Sequence, residues 1–317
     1  MQGADLATHS TRPFRFAIQS QRADSAREWR EKAKKIEALG YDVLLMADHF
    51  GPQFGIAPAL AVAAEATTTL RIGQLVLQND LRHPALLAKD IATLDLLSDG
   101  RFELGIGAGG SYPPDFDWTG IPFEPAPIRV DRLRESIAVL KGLFSDGPFS
   151  FQGTHFRIAE YDGMPKPVQK PWPPILIGAG GPRMMKLAAR EADIIGLLPA
   201  MGPTGGDFSL DEMTVPGLKK KVDFIRSVAP EQFDEIEFNS LTQVLDVTED
   251  RPASIERLSR EWEQDPVNWK DSPFLLVGSE QSIADDIRGY RETIGFTYFV
   301  LRDHMMDAFA PILARLK

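Results

Sequence analysis

DGRFELGIGAGG, Asp99 to Gly110, begins as a strand and ends as bare backbone. Asp99 and Gly100 form a turn, Phe102, Leu104 and Ile106 alternate with period two, and Gly105, Gly107, Gly109 and Gly110 then strip the side chains away. In a parallel α/β protein, ligands gather just beyond strand C-termini, where loops and helix N-termini open. Two readings of the glycines follow: a strand bending inside a crowded barrel wall, or a surface on which a flat ligand lies against backbone. Four together favour the ligand surface.

Upstream, Phe14 to Gln19 forms a short apolar strand. Ser25 then opens a helix with Glu28 three positions on, the spacing of a capping box, and Gly40 closes it. YDVLLMADHF, Tyr41 to Phe50, is apolar on both faces, as a strand inside a parallel sheet is, and ends on Asp48 and His49. A helix over 58–67, a third strand from Arg71 to about Gln78 and a proline-started helix over 84–97 lead back to the Asp99 turn.

Downstream, SYPPDFDWTGIPFEPAP (111–127) is too rich in proline and aromatics for regular structure and is long enough to be a functional loop. A helix over 129–144 precedes PFSFQGTHFRI, a hairpin turning at Gly153. PILIG, ending at Gly178, passes through AGGP into the helix of RMMKLAARE. Glycine backbone running into a helix N-terminus offers unpaired amides and partial positive charge, which makes a seat for a phosphate. Arg183 and Lys186 either add charge there or are solvated helix residues, the commoner state for such side chains. A sixth strand starts at Asp193, and the loop over 199–216 suits a mobile lid. Helices over 216–228 and 254–263 flank a seventh strand over 236–247. A helix within 277–295, the strand FTYFVL (296–301) and a terminal helix finish the chain. Eight strands, each followed by a helix, predict an α/β fold, a single (β/α)8 TIM barrel with loop insertions over 13–317, behind a flexible N-terminal tail over 1–12.

With 317 residues, 43% hydrophobic and 25% charged, the chain has material for a large core. Its net charge of -10, with no arginine or lysine cluster, excludes a nucleic-acid partner. The absence of cysteine excludes disulfides, thiolate nucleophiles and iron-sulfur clusters. No metal motif occurs, and His9, His83, His155 and His304 lack ligand spacing. The first residues lack the apolar core of a signal peptide, and no apolar run reaches the ~18 residues that span a bilayer, so a cytoplasmic protein without membrane contact is expected.

ADHF at the end of strand two, GRFELGIGAG, RVDRLRES, FQGTHF, PPILIGAGGPRMMKLAAREAD and VGSEQSIADDI occur in an order that resembles the luciferase-like flavin and deazaflavin oxidoreductases. The DHF ending and GIGAGG make the chain most similar to the branch that uses coenzyme F-420, a deazaflavin. The resemblance implies that Asp48 and His49 stand beside the deazaflavin ring as catalytic residues, His49 being the proton donor and Asp48 accepting a hydrogen bond from the cofactor. For His49 the plainer reading is a histidine bonded to a neighbouring carboxylate. Leu75 and Val76 match a non-prolyl cis peptide held against the ring. Gly107 and Ala108 match the cofactor floor, while Gly178, Ala179, Gly180 and Gly181, with Arg183, match the phosphate site.

Similar glucose-6-phosphate dehydrogenases carry a glutamate where this chain has Gly110, a tryptophan near Gln53 and Phe54, and a lysine that is missing between Pro199 and Met213. These departures point away from a sugar phosphate. They leave Phe50, Phe54, Tyr112, Phe116, Trp118 and Met201 around a mouth for a less polar small-molecule or peptide-like organic substrate. The implied reaction is hydride transfer between reduced F-420 and a C=C, C=N or C=O bond, in an enzyme that forms a homodimer. Two alternatives remain: an FMN-dependent monooxygenase using reduced flavin and oxygen, and a barrel that binds a cofactor without turnover.

Overall fold

The structure is a computed structural model and describes residues 12–110, 112–200, 210–263, 265 and 271–317. Residues 1–11 of the expected tail over 1–12, Met201 and most of the expected lid lie outside the described residues. In chain order the elements are β1 (Arg15–Gln19), α1 (Ala26–Ala38), β2 (Val43–Met46), α2 (Ile56–Ala66), β3 (Arg71–Gln74), β4 (Leu77–Gln78), α3 (Pro84–Leu97) and β5 (Phe102–Gly107). There follow α4 (Pro114–Thr119), α5 (Ala126–Phe144), β6 (Phe149–Gln152), β7 (Arg157–Tyr161), β8 (Ile175–Ala179), α6 (Pro182–Glu191), β9 (Ile194–Leu197) and α7 (Val215–Val228). The remainder is β10 (Glu237–Leu241), β11 (Val244–Val247), α8 (Arg251–Glu261), β12 (Leu275–Gly278), α9 (Glu280–Ile294), β13 (Phe296–Arg302) and α10 (Met306–Leu316).

The sheet runs β3-β2-β1-β13-β10-β9-β8-β5-β4, and β3 also pairs with β5, so it closes on itself. Because β3 and β4 are two pieces of one interrupted strand, this is a closed eight-stranded parallel barrel with helices between its strands. Alternation along each strand sorts the core into two layers. Ala17, Val43, Leu45, Leu176, Ile194, Tyr298 and Val300 fill the barrel interior. Their neighbours in sequence, such as Phe16, Ile18, Leu44, Phe299 and Leu301, pack outward into the helical layer.

The N-terminal end of the barrel is plugged by ions. Glu103, 2% exposed, pairs with Arg15 and with Arg71 at 2.6 Å and accepts from the Tyr298 hydroxyl at 3.2 Å. Arg15 also reaches Glu237 at 2.7 Å.

Two elements depart from the expected ones. The seventh strand does not run unbroken over 236–247: after β10 the Gln243 amide turns to the Phe274 carbonyl at 2.7 Å, and β11 pairs with β12 outside the barrel. An apolar run cannot tell one long strand from two that part at a bend. The expected irregular loop over 111–127 holds α4, which two prolines and two aspartates start and Gly120, at φ +69°, stops.

Glu37 on α1 ties the helical layer to the barrel by accepting the backbone N–H groups of Thr68, Thr69 and Leu70 at 2.8, 2.6 and 2.9 Å. Burial pushes its carboxyl up, but those donors outweigh burial and hold it at about 2. A folded value below the unfolded one gives stability that is complete above the ordinary carboxylate range and is lost as pH falls through about 2. Glu37→Gln is therefore expected to cost about 1–2 kcal/mol at pH 7. In thermal unfolding the gap from the parent should shrink as pH drops below about 4.5; a gap independent of pH would refute this role.

Candidate active site

The strands end together at the C-terminal rim. β5 and β8 are parallel neighbours in the register Ile106 to Ile177, so the loops after them, 108–110 and 180–181, share one edge. On the other side of β5, the third barrel strand breaks at a cis peptide between Leu75 and Val76, then resumes with Leu77 opposite Ile106 and Gln78 opposite Gly107.

The break explains the glycines. Gly105 and Gly107 are inward positions of β5, between the outward Phe102, Leu104 and Ile106. A Cβ on Gly105 would overlap the Gln74 carbonyl, and one on Gly107 would lie 2.9 Å from a Val76 methyl. Gly110, at φ +99°, leaves the space that the Arg129 guanidinium fills. All three glycines thus make room for the chain's own atoms. The floor of the mouth is Val76, whose side chain lies between Gly107 and Gly178.

The phosphate-seat residues divide similarly. Ala179 is fully buried in the outer core, and a Cβ on Gly180 would overlap the Pro199 carbonyl. Gly181 is different: it is the N-cap of α6, provides no side-chain cap, and a Cβ there would meet nothing within 4 Å. The first-turn amides of α6 have no intrahelical acceptor, so this terminus can hold an anion. Arg183 pairs with Asp131 at 2.6 Å on the surface. Sequence reasoning missed Lys221 of α7, 7% exposed, whose Nζ donates to the Gly180 carbonyl at 2.6 Å and pairs with Glu212 at 2.9 Å. No local signal marks it, because the carbonyl it meets belongs to Gly180, 41 residues earlier.

Asp48 and His49 have different surroundings. Asp48, 5% exposed, is held by Arg82 at 2.5 and 3.0 Å and by the Gln78 amide N–H at 3.0 Å. Its carboxylate is tied to the scaffold by these two partners. His49 Nδ1 lies 2.6 Å from Asp115 Oδ2, so the neighbouring-carboxylate reading of this histidine is realised. About a third of its side chain remains exposed. Gln78 Nε2 donates to the Asp48 carbonyl at 2.7 Å and to Asp115 at 2.8 Å, and its buried Oε1 has no hydrogen-bond partner.

Of the residues assigned to the mouth, Phe50, Tyr112 and Trp118 are exposed. Tyr112 stands edge-on to both His49 and Trp118, with ring centroids 5.7 and 5.8 Å apart. Phe116 is corrected, and Phe54 is half-buried. Phe116 is 1% exposed and packs on Phe123, and Phe54 packs edge-on to Trp29. Among the described residues no group of three His, Cys, Asp or Glu side chains is placed to hold a metal, and no helix is long and apolar enough to cross a membrane.

Residues 8–206 match the family model of luciferase-like monooxygenases, more than half of the 317 residues. The chain belongs to the luciferase-like monooxygenase family. One relative, an F420-dependent glucose-6-phosphate dehydrogenase of Kineococcus radiotolerans, is 28% identical over 84% of each chain. A second protein of that name, from Amycolatopsis mediterranei, is 36% identical over 51% of this chain and 50% of its own length. The solved coenzyme F420 dependent tetrahydromethanopterin reductase of Methanopyrus kandleri shares the fold: TM-score 0.76 at 19% identity, over 96% of this chain and 100% of that one. Within this luciferase-like barrel the matched region takes in the Val76 floor, His49 and the α6 terminus.

The scaffold role of Asp48 is testable. Arg82→Met would leave a buried carboxylate with one amide donor and is expected to cost about 3 kcal/mol in urea unfolding. The double variant with Asp48→Asn should recover most of it. A loss below about 1 kcal/mol for Arg82→Met, the level of a surface pair, would return Asp48 to the list of ligand-binding groups.

Proposed function

We propose that the chain is an oxidoreductase that uses coenzyme F-420 to move a hydride to or from a C=C, C=N or C=O bond of an organic substrate, with His49 exchanging the proton. The observation that carries this reading is the convergence of three features on one rim: the apolar Val76 floor, the half-open imidazole of His49 and the uncapped terminus of α6. Relatives whose names state F-420 dependence support the choice of cofactor.

The residues fit such a group. Val76, Gly178 and Ala108 offer a flat apolar seat, the unpaired buried Oε1 of Gln78 is an acceptor for a ligand N–H, and the first turn of α6 at Gly181 is suited to an anionic tail. Bound F-420 would supply or take the hydride at its carbon 5 and react poorly with oxygen. The protein's part is to orient, to exclude water and to handle the proton. Nδ1 of His49 is spent on Asp115, so Nε2 is the nitrogen left for substrate. Tyr112 and Trp118 shield that side with apolar surface.

Glucose 6-phosphate is not carried over from the relatives. The acid that the resemblance places at 110 is Gly110 here, with Arg129 in its space, and the exposed aromatics suit a less polar substrate. A second copy of the chain is part of the proposal, by likeness to the family.

F-420 is expected to raise the melting temperature and FMN to leave it unchanged; the reverse pattern would turn the reading to a flavin monooxygenase. His49→Ala should lower turnover in reduced-F-420 oxidation assays across enones, imines and ketones by about 10²-fold or more. Its F-420 affinity should stay within a few-fold of the parent. Unchanged turnover would remove His49 from the chemistry.

A further inference from the structure

Asp115 was not singled out by its sequence, and it is the most enclosed charged group at the rim, with 0% exposure. Its Oδ1 accepts the Phe50 amide at 2.9 Å, and its Oδ2 accepts Gln78 Nε2 at 2.8 Å and meets His49 Nδ1 at 2.6 Å. The first two donors, a backbone N–H and a carboxamide N–H, cannot act as acceptors. Gln78 is also locked in orientation, because its other hydrogen goes to the Asp48 carbonyl. Both oxygens are therefore engaged as acceptors, the state of an ionised carboxylate, and the proton between Asp115 and His49 belongs on Nδ1.

We infer that Asp115 is the positioning residue that decides which nitrogen of His49 reacts: by keeping Nδ1 protonated it leaves Nε2 as the atom that gives or takes the substrate's proton. The inference rests on the role of His49 proposed above. Other charged or titratable groups near the imidazole are Tyr112, edge-on to the ring, and Asp48, which precedes it in the chain and is ion-paired with Arg82. Neither supplies Nδ1 with an acceptor.

The balance of the reaction shows why the tautomer matters. When a double bond is reduced, the hydride from reduced F-420 bonds to one atom, the proton on Nε2 bonds to the other, and the imidazolium becomes neutral with Nδ1–H still on Asp115. In the oxidative direction, the Nε2 lone pair takes the proton of a hydroxyl or amine as the hydride leaves for oxidised F-420. The Nδ1 hydrogen bond is the same before and after, so the ring need not turn between half-reactions. A histidine with Nε2–H as its neutral tautomer could not take that proton at all.

The test uses Asp115→Asn and Asp115→Glu in the full chain. Asparagine with its oxygen on Phe50 turns its NH2 towards His49, which must then accept at Nδ1 and carry its proton on Nε2, and towards Gln78, whose carboxamide must turn its unpartnered Oε1 to meet it and give up the bond to the Asp48 carbonyl. Nitrogen-15 NMR of histidine-labelled, cofactor-free protein, at a pH where His49 is neutral, is expected to show Nδ1–H in the parent and Nε2–H in Asp115→Asn. With F-420 and a turned-over substrate, kcat of Asp115→Asn should fall by about 10²-fold or more, as loss of the orienting carboxylate does elsewhere. KM and F-420 affinity should hold, and Asp115→Glu should recover part of the loss.

Nε2–H in the neutral parent overturns the inference even if both variants fail to fold. So does an unchanged tautomer in folded Asp115→Asn, or a tautomer that switches without loss of kcat. Absence of any F-420 binding by the parent would defeat the proposed function instead, and the tautomer spectra separate the two failures.

Discussion

A Cβ at position 105 would sit on the carbonyl of Gln74, so β5 and the end of β3 can lie this close only because residue 105 is glycine. The architecture of the mouth follows from that approach. The third barrel strand stops at Gln74, passes Leu75 and Val76, and rejoins β5 at Leu77 and Gln78 with one residue more than β5 has over the same span. The offset points the Val76 side chain into the barrel opening above Gly107 and beside Gly178. It also brings Gln78 to the height of the β2 terminus, where its amide finds the Asp48 carbonyl and Asp115. A missing methyl group on one strand thus places both the apolar floor and the polar residue that links Asp48 to Asp115.

The two ends of the barrel carry similar side chains and differ in what is left over. At the N-terminal end, Arg15, Arg71, Glu103, Glu237 and Tyr298 satisfy one another. Burial pushes the Glu237 carboxyl up, Arg15 pulls it back, and the net direction is upward, so its ion pair returns less than its burial costs. At the C-terminal rim the network around Asp48, Arg82, Gln78 and Asp115 is equally buried but does not close. Gln78 Oε1 has no donor, Arg129 Nε has no acceptor, and about a third of the His49 side chain is exposed. Buried polar groups left unsatisfied cost stability, a cost the rim shares with Ser136 on α5 and Ser259 on α8.

The barrel was legible in the sequence because its signals are local. Alternation in 102–106, the apolar run of 43–46 and the Ser25 cap before Glu28 each concern residues within a turn or a strand of one another, and each is realised. The hairpin at Gly153 likewise closes on its own neighbour, Phe156. The site was half legible. His49 and Gly181 stand where strand and helix ends had to be, but a glycine says only that a side chain is excluded, not whether a ligand or the chain's own carbonyl excludes it. Asp115 left no trace, since its partners are 66 and 37 residues away and its helix is a single turn inside a proline-rich run. The parting of β11 from β10 was hidden for the same reason: it depends on Phe274, far along the chain.

Gly110 and Arg129 show how the rim limits what the substrate can be. Arg129 is 6% exposed, lies over the Phe123 ring at 4.4 Å and has one hydrogen bond, to the Ala108 carbonyl at 3.3 Å. Burial presses its pKa down and Asp80 presses it up, the first prevailing. Asp80 is itself paired with Arg132 at 2.7 Å. A side chain at 110 would have to displace this guanidinium, besides adopting a φ of +99° that favours glycine. An acid at 110 and an arginine packed beneath it are therefore mutually exclusive in this backbone. The carboxylate at the mouth comes instead from α4 and touches the imidazole, leaving Phe50, Tyr112 and Trp118 as the surface that an incoming molecule meets.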